Sequence, residues 1–358
     1  MRVLMLTVLV LLILPLTVQA QSADDRYPFV RDGKMGFIDY QGREVIPPRF
    51  SNAGEGRFDY GIAAVFEAGK GSGYIDTSGK FVIGPTEVWG WGRPFYEDVA
   101  SVLILDQRGN KPGWIDRTGK IVLSGKGNEG THFADGLMSM PGPNGKWGFV
   151  NKDFRFVIEP QFNWVTDFSE GRAEFTSNHK SGFIDTAGKI VVPAKYDMAW
   201  QFRDGVALVR RDIQVGTHMT EEGEEPKYRF QYGYIDHDGN EIIALQFEEA
   251  TYFSEGYAMA IPSNFALYGI IDKQGHFVHD PEFEEAGEFH DGLAMACVKR
   301  KCGFVDTSGA WIIRPQFESV REFWHGLASV SWKDGDYGYI NKTGKTVWRS
   351  SAPPQPAR

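Results

Sequence analysis

The stretch Gly338-Tyr339-Ile340-Asn341-Lys342-Thr343-Gly344 decides how this chain folds, because it is written nine times. Its counterparts begin Gly36-Phe37-Ile38-Asp39, Gly73-Tyr74-Ile75-Asp76, Gly113-Trp114-Ile115-Asp116, Gly148-Phe149-Val150-Asn151, Gly182-Phe183-Ile184-Asp185, Gly233-Tyr234-Ile235-Asp236, Gly269-Ile270-Ile271-Asp272 and Gly303-Phe304-Val305-Asp306. Successive starts lie 37, 40, 35, 34, 51, 36, 34 and 35 residues apart, and a period of this size marks a repeat architecture. Each unit keeps one internal order. In the last, Phe323-Trp324-His325-Gly326 leads into Leu327-Ala328-Ser329-Val330, a polar turn precedes the repeated stretch, and a second turn leads into Lys345-Thr346-Val347-Trp348. These are three short β-type runs between turn residues, and none is long enough for helical periodicity.

The second turn has a mechanism. An Asp or Asn at its start accepts hydrogen bonds from nearby backbone N–H groups, and a Gly three residues later takes a positive φ at little cost. That combination suits a short hairpin with a type I turn and a Gly bulge. Gly42, Gly79, Gly119, Gly188, Gly239, Gly275, Gly309 and Gly344 keep the glycine, and Phe154 replaces it in the fourth unit, where a distorted turn is expected.

The middle strand is apolar on both faces. Neighbours on a strand point to opposite sides, so Phe37, Tyr74, Trp114, Phe149, Phe183, Tyr234, Ile270, Phe304 and Tyr339 face one way. The residues that follow them, from Ile38 to Ile340, face the other. Burying each such side chain is worth roughly 1.5–3 kcal/mol, and a lone three-stranded sheet shelters only one set. Sheet must therefore lie on sheet, repeat upon repeat. The expected architecture is all-β: a tandem array of nine short antiparallel meanders stacked as an open curved solenoid, with a closed β-propeller as the alternative. Nine units exceed the usual four to eight blades, and the first and last units each contain all three strands, so no blade is shared between the termini.

The pattern Phe-x-x-Gly-Leu-Ala-x-Val, aromatic-Gly-Phe-Ile-Asp, then Gly-Lys-x-Val-Ile-x-Pro-x-Phe resembles the bacterial WG-repeat family. Lys146-Trp147-Gly148-Phe149-Val150-Asn151 carries the Trp-Gly pair; Met35, Ser72, Pro112, Ser181, Tyr232, Tyr268, Cys302 and Tyr337 replace that Trp elsewhere. The resemblance spans about residues 27–348 and implies β-rich modules with no general activity to carry over.

Met1-Arg2, an apolar run over residues 3–18 and Val18-Gln19-Ala20 form a secretory signal pattern, against the alternative of an uncleaved anchor. The expected organisation is a signal peptide over residues 1–20, a polar leader over 21–26, the array over 27–349 and a flexible tail over 350–358, in a periplasmic or secreted protein. The net charge of −9 becomes −10 once Arg2 is removed with the signal. That balance argues against nucleic acid, which needs a basic footprint, and no membrane contact is expected after cleavage.

Cys297 and Cys302 flank a four-residue turn between two strands, where a hairpin brings two sulfurs to bonding distance in an oxidising compartment. Ser124-Gly125-Lys126-Gly127-Asn128-Glu129-Gly130 matches G-x-G-x-x-G, but the following segment is a repeat strand rather than the helix a dinucleotide needs. The interval of 51 places an insertion over residues 212–228, centred on Glu221-Glu222-Gly223-Glu224-Glu225, which reads as a solvated acidic tip. The turn aspartates need no role beyond the turn, and neither a metal, a cofactor nor a catalytic motif is expected. Trp89, Trp91, Trp164 and Trp200 exceed what the pattern requires; they are candidate ligand-binding residues on one edge of the array, or packing between repeats.

The expected function is a non-catalytic extracytoplasmic protein-binding or scaffold protein. One alternative is recognition of cell-wall or other polysaccharide through the tryptophans. Another is a glycan-active enzyme with acids in a groove, which would need two carboxylates about 5–10 Å apart.

Overall fold

The computed structural model describes residues 25–51, 56–90, 92–125, 132–220 and 223–351. The signal pattern, Trp91, most of the G-x-G-x-x-G stretch and most of the tail lie outside them. Among the described residues there are strands and turns and no helix. Each unit is an antiparallel meander, as in Tyr27–Arg31, Lys34–Ile38 and Glu44–Phe50 of unit 1. Several units add a fourth, leading strand: Glu285–His290 in unit 8 and Ser319–Trp324 in unit 9. Units 6 and 7 share one seven-stranded sheet, because Glu241–Ala250 runs on to pair with Tyr257–Pro262.

The turn chemistry holds in all nine units. The Asp or Asn side chain accepts from the amides two and four residues on, as Asp185 does from Ala187 and Lys189 at 3.0 and 2.9 Å. Gly188 takes a φ of 79°. The expected distortion at Phe154 is absent: Asn151 accepts from Asp153 and Arg155, both at 3.1 Å, and Phe154 itself adopts a φ of 56°. Its ring lies 5.9 Å from Phe133, inside a cluster with Trp114 and Met140. A glycine's gap is thus filled at this junction by a packed side chain.

The first glycine of each repeated stretch has a separate cause. The last strand of the unit bends over it, and a β-carbon on Gly36 would lie 2.6 Å from the Ile46 carbonyl oxygen. The ladder slips at the same place, between the Met35–Phe50 and Phe37–Ile46 pairs.

Of the eighteen apolar residues on the two faces of the middle strands, all but Tyr339 are buried. They meet in nine clusters, one per junction. Phe37 of unit 1 meets Ile75 of unit 2, Phe149 of unit 4 meets Ile184 of unit 5, and Phe304 of unit 8 meets Ile340 of unit 9. One face of each unit therefore covers the opposite face of the next. The ninth cluster joins the ends: Tyr27, Phe29 and Ile38 of unit 1 pack with Leu327 and Trp348 of unit 9, against Tyr339. The Tyr27 hydroxyl donates to the His325 carbonyl at 2.6 Å and the Tyr339 hydroxyl to the Pro28 carbonyl at 2.8 Å.

The array of meanders is as the sequence requires, but its ends are joined. The nine units form a closed ring, the alternative arrangement, through side-chain packing and with no sheet closing on itself. The termini share no blade; Tyr27 and Phe29 do the joining instead.

A second series of contacts links units 3 to 9 at one end of the sheets. From unit 3 to unit 8, a carboxylate in the first turn of one unit accepts from the backbone N–H of the next: Glu97 from Gly136 at 3.0 Å, Asp135 from Gly171 at 2.7 Å, Asp204 from Gly256 at 2.7 Å, Glu255 from Gly292 at 2.8 Å and Asp291 from Gly326 at 2.7 Å. Glu170 does the same for Gly205 at 3.1 Å. These acids are tied into junctions, and each holds an unusual positive φ, from 45° at Glu97 to 57° at Asp291.

Candidate functional site

Of the extra tryptophans, the three among the described residues do not all lie on one edge of the array. Trp89 is 3% exposed and packs on Tyr74, ring centroids 5.8 Å apart, within the cluster between units 2 and 3. It is a packing residue, corrected from a ligand candidate. Trp91 lies outside the described residues. Trp164 and Trp200 do come together, on a cleft of about 560 Å³ between units 5 and 6 that is also lined by Glu174, Ser181, Asp197 and Tyr252.

Strand alternation builds the cleft. On Arg172–Ser177, Ala173 and Phe175 face unit 4. Glu174 and Thr176 therefore face unit 6. Glu174 pairs with Phe183 on Lys180–Asp185, and Ser181 sits two residues before that partner, on the same face. The leading segments supply the rims. Trp164 and Thr166 of unit 5 are fixed by backbone bonds to Thr176 and Glu174, and Trp200 of unit 6 by a bond to Leu208. Trp164 is 47% exposed. Trp200 is half-buried and stacked on Tyr232, centroids 5.8 Å apart at 23°. Tyr252 has the Arg203 guanidinium over its ring at 4.3 Å.

The charges of the cleft are almost all matched. Asp197 loses hydration by burial, yet its carboxyl stays below the ordinary range because the Lys180 ammonium, at 2.5 Å, and the Asp212 amide, at 3.0 Å, hold its charged form. Arg210 grips Asp212 with two bonds, of 2.7 and 3.0 Å. Arg203 meets Glu288 at 3.3 Å. Glu174 is the exception. It is 6% exposed, and no cation pairs with it among the described residues. Burial pushes its carboxyl up to about 7, against the Ser181 hydroxyl, which donates to Oε1 at 2.5 Å and favours the ionised form. Near neutral pH this is a carboxyl that both holds and gives up its proton.

Glu174, Ser181, Gln201 and Tyr252 were missed in the sequence, although one signal existed. The position of Glu174 is occupied by Ala64, Ser101, Ser139, Leu208, Met259, Met295 and Ser329 in units 2–4 and 6–9. An acid at a position the pattern buries stands out.

Cys297 and Cys302 pair across a hairpin and are joined by a disulfide, with Cα atoms 4.0 Å apart. The insertion is not a loose loop. Ala207–Thr220 and Gly223–Ile235 form one long hairpin, with cross-strand pairing from Ala207–Ile235 out to Thr220–Gly223. Past Arg210 and Tyr232 no third strand accompanies it among the described residues. Val215, Met219, Tyr228 and Phe230 are 51, 77, 46 and 41% exposed on this ribbon, and Arg210 lies over the Phe230 ring at 4.4 Å.

The fold and its cleft define a closed ring of β-meanders carrying one projecting ribbon. The profile described as "WG containing repeat" matches residues 35–70, 73–105, 147–180, 182–212, 232–260, 268–302 and 303–335, well over half of the chain. The chain belongs to the WG-containing repeat family. A search of curated proteins found no match. Among solved structures, the chain is similar to BamB from Moraxella catarrhalis, at 10% identity over 72% of this chain and 84% of that one, with a TM-score of 0.39. It is also similar to the dihydro-heme d1 dehydrogenase NirN in complex with DHE, at 14% identity, 92% and 73% coverage and a TM-score of 0.44. A third likeness is to the WD40 beta propeller domain of Doa1, at 13% identity, 67% and 87% coverage and a TM-score of 0.29. These are loose likenesses, and nothing about the role of this chain follows from them.

Proposed function

We propose that the protein is a non-catalytic binding or scaffold ring that works outside the cytoplasm and holds a protein partner through its ribbon. The observation that carries this reading is the exposed Val215, Met219, Tyr228 and Phe230 on the outer part of a hairpin, which has no third strand beside it among the described residues. A two-stranded ribbon is marginal alone in water, and its bare edges invite pairing with another chain. The extracytoplasmic location rests on the signal pattern over residues 1–20. A photo-crosslinking amino acid at position 228, introduced in the producing cells, is the test. Adducts to one discrete protein are expected; labelling no stronger than at the exposed, ring-borne Val82 would remove the reading.

A second reading is favoured by a separate observation. Trp164 and Trp200 open onto one cleft with hydroxyl-bearing neighbours, which suits a polysaccharide. Hydrolysis there is disfavoured by the state of Asp197. Its carboxylate is engaged by Lys180 and the Asp212 amide and is not free to act as the second group of a carboxylate pair.

A further inference from the structure

We propose that the cleft between units 5 and 6 binds an uncharged sugar, with Trp200 and Tyr252 as platforms, Trp164 as the outer wall and Glu174 as a hydrogen-bonding group at its base. This rests on the second reading above and names the ligand class and the residues that recognise it.

The aromatic rings are prepared for one-sided contact. Tyr232 stacked behind Trp200 and Arg203 over Tyr252 cover one face of each ring, leaving the other for a ligand. Two rings fixed in this way lose little freedom on binding. The C–H faces of a sugar ring are apolar and match such platforms, while its hydroxyls need polar partners between them. The cleft supplies these as Thr166, Thr176, Ser181 and Gln201. Turning the Gln201 amide so that its oxygen accepts from Arg203, at 2.8 and 3.0 Å, directs its NH₂ away from the guanidinium. The volume of about 560 Å³ lies within the range of small-ligand sites and accommodates a mono- or disaccharide.

Charge selects the class. Asp197 is matched by Lys180, and Arg203 by Glu288. Glu174 faces Ser181 across its own sheet, Asp197 from unit 6 and Tyr252 from unit 7. With Glu174 protonated, the described residues that line the cleft offer no uncompensated charge to hold an acidic or basic sugar. The protonated carboxyl accepts from Ser181 through one oxygen and is able to donate through the other to a ligand oxygen. A bound sugar displaces water from the carboxyl, which disfavours ionisation further. Affinity should therefore fall as the pH rises through neutrality.

The test is tryptophan fluorescence titration of the mature protein with neutral trisaccharides (cellotriose, chitotriose, laminaritriose and maltotriose) and with anionic trigalacturonate at pH 5.5 and 8.5, and with chitosan trimer at pH 5.5, where its amines are cationic. At least one neutral trimer should bind more tightly than both charged ones, and more tightly at pH 5.5. Trp164→Ala, at an exposed position, should weaken that binding about tenfold or more. Glu174→Gln, whose amide can still accept from Ser181, should bind about equally at the two pH values. No binding by any neutral trimer, preference for a charged trimer, or affinity unchanged by Trp164→Ala would overturn the proposal. Cleavage of a bound trimer would overturn its non-catalytic character. Crosslinking from position 228 reports on the ribbon independently, so failure here is distinguishable from failure of the scaffold reading.

Discussion

Replacing Glu174 by Gln changes one titration and little else, so its effect on stability can be worked out from the structure. The carboxyl ordinarily titrates near 4.5 and is pushed up to about 7 by burial in the cleft. Below pH 4.5 both the folded and the unfolded chain hold the proton, and the group is neutral to folding. Between 4.5 and 7 the unfolded chain gives up the proton while the folded chain keeps it, so stability falls as the pH rises. Above 7 the loss is complete and amounts to about 3 kcal/mol for a gap of this size. Glutamine keeps the shape and an acceptor for Ser181 but has no proton to lose. Urea unfolding of both proteins at pH 4.5, 6 and 8 isolates the effect, because every other carboxylate titrates in both. The variant should match the wild type within about 1 kcal/mol at pH 4.5 and exceed it by about 3 kcal/mol at pH 8. A difference that stays constant across the three pH values would refute the assignment of a buried, unpaired carboxyl.

Three further outcomes follow from the packing. Trp348→Ala removes the ring that meets Phe29 across the seam at 5.2 Å and Tyr337 of its own unit at 5.5 Å, and should destabilise the protein by about 3–5 kcal/mol in urea unfolding. Gly188→Ala places a β-carbon 2.9 Å from Ile158 Cγ2 at a φ of 79°. It should lower stability by about 1–3 kcal/mol, against little change for the same substitution at an exposed loop position. Reducing the Cys297–Cys302 bond opens a loop of only a few residues, so the thermal midpoint should shift by an amount equivalent to no more than about 2 kcal/mol.

The unit itself was legible because its causes are local. An Asp or Asn followed by glycine specifies a turn, and alternating apolar pairs specify a strand covered on both sides. What the sequence hid was mostly a matter of relations between units. Closure depends on a small rotation accumulated over nine junctions, and the residues that complete it, Tyr27, Phe29 and Trp348, look like ordinary strand residues. Phe154 broke the glycine rule, yet the turn survives because a neighbouring cluster receives its ring. The acidic centre of the insertion suggested a solvated loop, whereas residues 211–219 and 224–231 continue the strand pairing of unit 6. Trp89 and Trp200 could not be told apart by composition. One lies inside a junction, and the other stands at its rim, supported by Tyr232.

The ring's closure is tested most directly by the distance between its first and last units. Spin labels at Val30→Cys and Lys333→Cys leave the bonded Cys297–Cys302 pair untouched. The Val30 amide donates to the Tyr337 hydroxyl oxygen at 2.8 Å, and position 333 is at most about 14 Å further along the chain. Pulsed dipolar spectroscopy should therefore give a single narrow distribution centred below about 25 Å. In an open stack of nine sheets about 10 Å apart the ends separate by several tens of ångströms, and a distribution centred beyond about 40 Å would contradict the closed ring.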